Sequence, residues 1–175
     1  SHVVFGIQGL GNTDNDRFAL NALQIIFGGG MSSKLFQRIR EEKGLCYSIF
    51  SFCAQYSSSG IFGFYSACLP KDLKNLIEES LQEFKKLRNE ISIEDVEKAK
   101  SQMKSGFLMS LDSSMNRLET DIHSIFSFGK AISESDVLKK IDTLDVSKVE
   151  DVLSRIIDKP KPVLSIVGPG GNDFK

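Results

Sequence analysis

The stretch from Phe27 to Tyr47, FGGGMSSKLFQRIREEKGLCY, constrains the fold more than any other part of the chain. It reads as the end of a buried helix, a turn of three glycines, a second helix, a glycine stop and the start of a strand. Gly28, Gly29 and Gly30 carry no Cβ and permit backbone angles closed to other residues, so a tight reversal is expected there. Ser32 or Ser33 is placed to cap the next helix by accepting a free backbone N–H. Met31, Leu35, Phe36 and Ile39 recur at helical spacing, which predicts one buried stripe. Gly44 suits the left-handed position beyond a helix end, with Leu45 folding back on Ile39. Arg40 borders the stripe one turn after Phe36, and Tyr47 opens the next strand. This geometry lets a guanidinium and a phenol face one region of space.

The remaining elements follow from pattern. The β-branched apolar run over 3–8 predicts a strand. Gly9, Gly11 and the polar cluster Asn12–Asp16 predict a turn and a helix start, with Asp14 or Asn15 as the cap. Phe18, Leu20, Leu23, Ile25 and Ile26 and the alanines between them make that helix apolar nearly all round, as in a helix buried on several sides. Residues 46–54 and 61–68, joined by QYSSSG, predict a hairpin, whose Phe50, Phe52, Phe62 and Phe64 are assigned to the core. Pro70 suits a first helical turn, and Leu73, Leu76, Ile77, Leu81, Phe84 and Leu87 mark an amphipathic helix. Ser92 and Asp95 form a capping box before the stripe Val96, Ala99, Met103, Phe107 and Leu111, in which Gly106 is a weak point. Helices over 114–128, 134–141 and 146–157 follow, the last two capped by Ser133 and Asp145. PVLSIV reads as a closing strand and GPGGNDFK as a frayed tail, so one domain is expected over 1–168 and a flexible tail over 169–175. The order β-α-α-β-β, then helices, then β predicts an α+β fold: one mostly antiparallel sheet backed by helices.

With 175 residues the chain is about one domain long. Its 41% apolar and 26% charged residues suit a soluble globular domain, and a formal net charge of −1 without a basic block argues against a nucleic-acid partner. No apolar run is long enough to span a membrane. The abrupt opening on the strand VVFGI, without a signal-peptide pattern, suggests a domain cut at its boundary; Ser1 and His2 read either as added residues or as part of the first strand. Cys46, Cys53 and Cys68 lie in apolar runs without any C-x-x-C, and are expected as buried free thiols. A catalytic zinc needs three protein ligands and an open position. The chain has two histidines, His2 and His123, and one His cannot build such a site, so this chain is expected to hold no metal. The triple glycine lacks the Gly-Lys-Ser/Thr of a phosphate loop and follows a helix rather than a strand, which argues against a nucleotide.

GGGMSSKLFQRIREEKGLCYSI resembles the hallmark of the second, non-zinc domain of insulinase/pitrilysin-type zinc metallopeptidases, nearest to the bacterial and mitochondrial-processing-peptidase-like branch. The resemblance implies that Arg40 and Tyr47, seven residues apart, contact substrate across a clamshell from a zinc-bearing N-terminal half. It implies that the glycines Gly28–Gly30 let helices approach closely near the substrate channel. The family's His-x-x-Glu-His motif is absent, so no catalytic residue is assigned to this chain, and zinc is expected in the N-terminal half. The expected partners are that half, in the same chain or a partner subunit, a peptide substrate, and a second copy of the chain in a possible homodimer. The expected compartment is a bacterial cytoplasm or a mitochondrial matrix. The competing function is a non-catalytic scaffold, such as a processing-peptidase partner or a respiratory-complex core protein. Retention of both Arg40 and Tyr47 favours the substrate-binding reading. An Arg fork can fix a substrate carbonyl or carboxylate, and a Tyr hydroxyl can donate to an oxygen that gains charge.

Overall fold

Alternation along the strands sets the sheet. In β1 (His2–Gly9), Val3, Phe5 and Ile7 are buried, whereas Val4 and Gln8 face outwards. β2 (Ser48–Gln55) and β3 (Gly60–Ala67) form the expected hairpin, and β4 (Val163–Val167) closes the sheet beside β1. The strand order is β2-β3-β1-β4, antiparallel at every step. The computed structural model describes residues 1–158 and 161–170, so most of the expected tail, residues 171–175, lies outside the described residues.

Among the described residues six α-helices accompany the sheet: α1 (Arg17–Gly28), α2 (Leu73–Glu90), α3 (Ile93–Ser110), α4 (Ser114–Phe128), α5 (Glu134–Asp142) and α6 (Val146–Ile157). α1, α2, α6 and the start of α3 cover one face of the sheet and share a core with it. The fold is therefore α+β, as the element order predicts. Phe27 of α1, Phe62 of β3 and Phe84 of α2 stack at centroid distances of 5.1–6.0 Å, joining both helices to the sheet. Such ring pairs add about 0.5–1.5 kcal/mol each beyond the area they bury.

The hairpin aromatics divide by parity. Phe62 and Phe64 point into the core, but Phe50 and Phe52 share the opposite, helix-free face with Val4 and Ile61. The continuous apolar run had hidden this alternation, so the core assignment holds for two of the four. The start of α1 differs as well. Asp16, rather than Asp14 or Asn15, occupies the cap position, and it makes no side-chain cap bond. Asp14 Oδ1 instead accepts the Asp16 N–H at 2.9 Å, and Arg155 of α6 pairs with the carboxylates of Asp14 and Asp16 at 2.8 and 2.6 Å. The other caps form as expected. Ser92 and Asp95 complete a capping box, Ser133 accepts from the Asp136 N–H, and Asp145 accepts from the Lys148 N–H.

Candidate functional site: a cleft between the glycine turn and the edge strand

α1 ends against β2 at a distance that admits no side chain. A Cβ on Gly28 would lie 2.6 Å from the Ser51 backbone nitrogen, and one on Gly29 would lie 2.5 Å from Cα of Ile25. Gly30 faces open space. None of these three adopts a positive φ. Gly28 and Gly29 are therefore required for close approach, and none of the three serves the forbidden backbone angles expected from composition. Ser51 locks the contact: its Oγ donates to the Gln24 carbonyl at 2.6 Å, while Gln24 Nε2 donates to the Ser51 carbonyl at 2.8 Å.

The segment after the turn departs from a simple helix. Ser33 does not cap it by accepting an N–H; its Oγ donates to the Gly30 carbonyl at 2.5 Å. Met31 lies in the turn before the helix and is 74% exposed, so it leaves the predicted stripe, whereas Leu35 and Ile39 are fully buried. Residues Phe36–Glu42 wind as a π-helix. The Lys43 N–H reaches back five residues to the Arg38 carbonyl. Gly44 is left-handed (φ 62°), and the Leu45 N–H closes on the Ile39 carbonyl at 3.0 Å, which makes the predicted cap one residue wider. Such π-turns re-aim side chains and are frequent at functional sites. Here the guanidinium of Arg40 lies over the ring of Phe36, 4.7 Å from its centroid, with Glu41 at 3.8 Å.

Ion pairs tie the underside of this helix to α2. Arg38 bonds Glu42 and lies 3.6 Å from Glu83, Lys86 bonds Glu83 at 2.6 Å, and Lys43 bonds Glu79. Glu83 is only 6% exposed, so it is not part of a solvated face as its charged neighbours in sequence suggest. It holds the π-helix in place.

The result is a cleft of about 410 Å³ lined by Gly28, Gly29, Gly30, Phe36, Arg40 and the β2 residues Ser48–Ser51. β2 is an edge strand, with a strand neighbour on one side only among the described residues. Tyr47 sits at the mouth of this strand. Its backbone N–H donates to the Ala67 carbonyl at 2.9 Å, and its side chain is 67% exposed. Arg40 and the glycines thus share one cleft, while the Tyr47 phenol projects beside it and is not part of the lining. The sequence reading missed Gln24, Ser51 and Phe50, which also belong here. Strict period-two alternation through β2 would have turned Phe50 away from the core.

The three cysteines are free. Burial pushes the Cys53 thiol up to about 12, and it also raises Cys46, against pulls from the Ser66 hydroxyl and the Arg40 charge. They are protonated small hydrophobes rather than nucleophiles. His2 Nδ1 bonds the Tyr65 hydroxyl at 2.8 Å, and His123 lies on α4. Among the described residues no three His, Cys, Asp or Glu side chains gather as a metal site, so these residues do not fit a catalytic zinc. No described helix is long and apolar enough to cross a membrane.

Residues 1–103 match the Peptidase M16 inactive domain family. The chain belongs to this family. It is 30% identical over 173 residues to an uncharacterized zinc protease of Streptomyces coelicolor, covering 97% of this chain and 37% of that one. It is 29% identical over 175 residues to one of Bacillus subtilis, covering 98% and 42%. The chain thus spans about two-fifths of the length of the relatives it matches. Among solved structures, a Helicobacter pylori protease superposes with a TM-score of 0.82 at 23% identity, covering 93% of this chain and 39% of that one. A chain of complex III from Candida albicans gives 0.84 at 21% identity, covering 94% and 42%. At those identities the two structures establish the shared fold.

Proposed function

We propose that this chain is the substrate-binding, C-terminal half of a zinc-dependent peptidase that encloses peptides in a clamshell chamber. The observation that carries this reading is the single cleft that brings Arg40, Gly28–Gly30 and the edge strand β2 together. An extended peptide has carbonyls for an Arg fork and a backbone that suits the flank of an edge strand. Zinc, and the chemistry of bond cleavage, would come from the N-terminal half, since the names of the relatives point to zinc and no ligand set gathers among the described residues. Arg40, rigidified by Phe36, would hold the substrate backbone. Tyr47, exposed at the mouth of β2, would donate to the oxygen that gains charge as the peptide bond is attacked.

Steady-state kinetics on the full-length or reassembled enzyme test this. Tyr47→Phe removes only a hydroxyl from an exposed ring and should leave the fold intact. Its expected cost is at most that of one oxyanion donor, ~10²–10³ in kcat. Arg40→Ala should lower kcat/KM through both KM and kcat, with Arg40→Lys restoring only part, because an ammonium has no planar fork. Unchanged kcat/KM in both Tyr47→Phe and Arg40→Ala would refute substrate contact and favour the scaffold function.

A further inference from the structure

α1 has chemistry at both ends. The cleft above lies at its last turn, while Arg17 begins it, roughly 17 Å away along the helix. Between the start of α1, the hairpin and α4 opens a cavity of about 590 Å³, whose lining includes Arg17, Asn21, Gln55, Phe107, Asn116 and His123. The Arg17 guanidinium lies between two rings, 4.4 Å from the centroid of Phe18 and 4.8 Å from that of Phe128. Stacking occupies the faces of the guanidinium and leaves its N–H edge for polar partners. Among the described residues that edge makes one long bond, 3.5 Å from Nη1 to the Asp14 carbonyl, and no ion pair. The nearby carboxylates of Asp14 and Asp16 are drawn to Arg155 instead. Burial lowers the pKa of Arg17.

We infer that this cavity binds a small carboxylate carrying an apolar group, the edge of Arg17 taking the carboxylate as a fork. Guanidinium and carboxylate match in plane and spacing, and such paired bonds are about twice as strong as neutral ones. Phe107 and Val137 offer apolar wall, and Asn21 and Asn116 offer amides to any polar group next to the acid. Two sources carry this chemistry: a free acid of small size, or the C-terminal residue of a peptide. The site is independent of Arg40, so it stands or falls apart from the peptidase reading. Glu119, exposed at the rim, is the one acid of the lining and opposes a bound anion.

Calorimetric titration of this chain tests the assignment without any peptidase activity. The probes are acetyl-Ala-Ala-Leu with a free carboxylate, the same peptide as its C-terminal amide, and 4-methylpentanoate. The free-carboxylate peptide or 4-methylpentanoate should bind saturably, the stronger of the two naming the source, and the amide should lose about tenfold or more. Arg17→Gln should abolish binding. Because Arg17 also anchors Phe128, a second variant avoids that contact: Asn116→Trp, on the exposed first turn of α4, should block the cavity with the fold unchanged by circular dichroism. Glu119→Gln should tighten binding. Equal binding of acid and amide, binding that survives both Arg17→Gln and Asn116→Trp, weaker binding in Glu119→Gln, or no saturable binding up to roughly 10 mM would each overturn the inference.

Discussion

α2 and α4 carry the same kind of sequence and meet different fates. In α2, Leu73, Leu76, Ile77, Leu81, Phe84 and Leu87 recur at three and four, and all are buried except the half-buried Leu81. In α4, Met115, Leu118, Ile122 and Ile125 keep the same spacing, and every one is exposed, with Phe126 beside them at 87%. Of the residues of α4 only Ser124 is buried. The helix is held mainly near its ends: Phe128 rests on Arg17, Ser127 accepts from Asn12 at 3.0 Å, and Arg117 bonds the Leu111 carbonyl and Glu134. Periodicity therefore reports that a helix forms and which face is apolar. It does not report what lies opposite. For α2 the opposite surface is this chain's own sheet and α6.

The comparison is sharpest in a matched pair of substitutions. Leu76 is fully buried in α2. Leu76→Ala should destabilise by about 2–5 kcal/mol, the loss of a buried leucine plus the cavity it leaves. Urea unfolding followed by circular dichroism measures it as a lower midpoint at unchanged slope. A loss below about 1 kcal/mol would mean that α2 is no better covered than α4, and the contrast would fail.

An intermediate effect belongs to α3, which joins the two regions. Its first half is buried at Val96 and Ala99, while Leu108 and Met109 near its end are exposed. Ser92→Ala removes the capping box and should cost about 1 kcal/mol. This loss should depend on pH. Burial pushes the Asp95 carboxyl up, but bonds from the Ser92 backbone and hydroxyl and the charge of Lys34 outweigh it and hold the group below its ordinary value. A depressed folded pKa gives stability that is fully present above the ordinary value of 3.8 and is lost as pH falls through the lower, folded value. Wild type and Ser92→Ala should therefore differ most near neutrality, and the difference should narrow in acid to the part carried by the Asp95 N–H to Ser92 Oγ bond. A difference that grows on acidification would contradict the cap.

The same logic explains what was legible in the sequence. Helix caps at Ser92, Ser133 and Asp145, the hairpin and the Gly44 stop depend on neighbours in the chain, and each was readable. The cap of α1 was not: Asp16 holds the cap position without a cap bond, and its carboxylate pairs with Arg155, far along the chain. The glycine turn was located correctly, but the positive φ expected of it is absent, and close approach accounts for Gly28 and Gly29. The requirement at Gly28 comes from Ser51, a partner that only the folded chain brings near. The π-turn at Phe36–Glu42 carries no signal of its own in a run of good helix formers, and with it the stacking of Arg40 on Phe36 was invisible. The strand was read as opening at Tyr47, whereas β2 begins at Ser48 and leaves Tyr47 at its mouth. Glu83 looked like any charged helix residue until Arg38 and Lys86 closed over it.

The smallest expected effect completes the pair. Leu118 in α4 is 56% exposed, so its side chain has given up little contact with water. Leu118→Ala removes apolar atoms that are half in solvent already, leaves no enclosed cavity, and replaces one good helix former with a better one. The transfer loss and the propensity gain nearly cancel, and the change should stay within about 0.5 kcal/mol of wild type. The unfolding midpoint, measured beside that of Leu76→Ala, decides the matter. A loss approaching that of Leu76→Ala would show Leu118 covered in solution, and the contrast between the two helices would be one of degree.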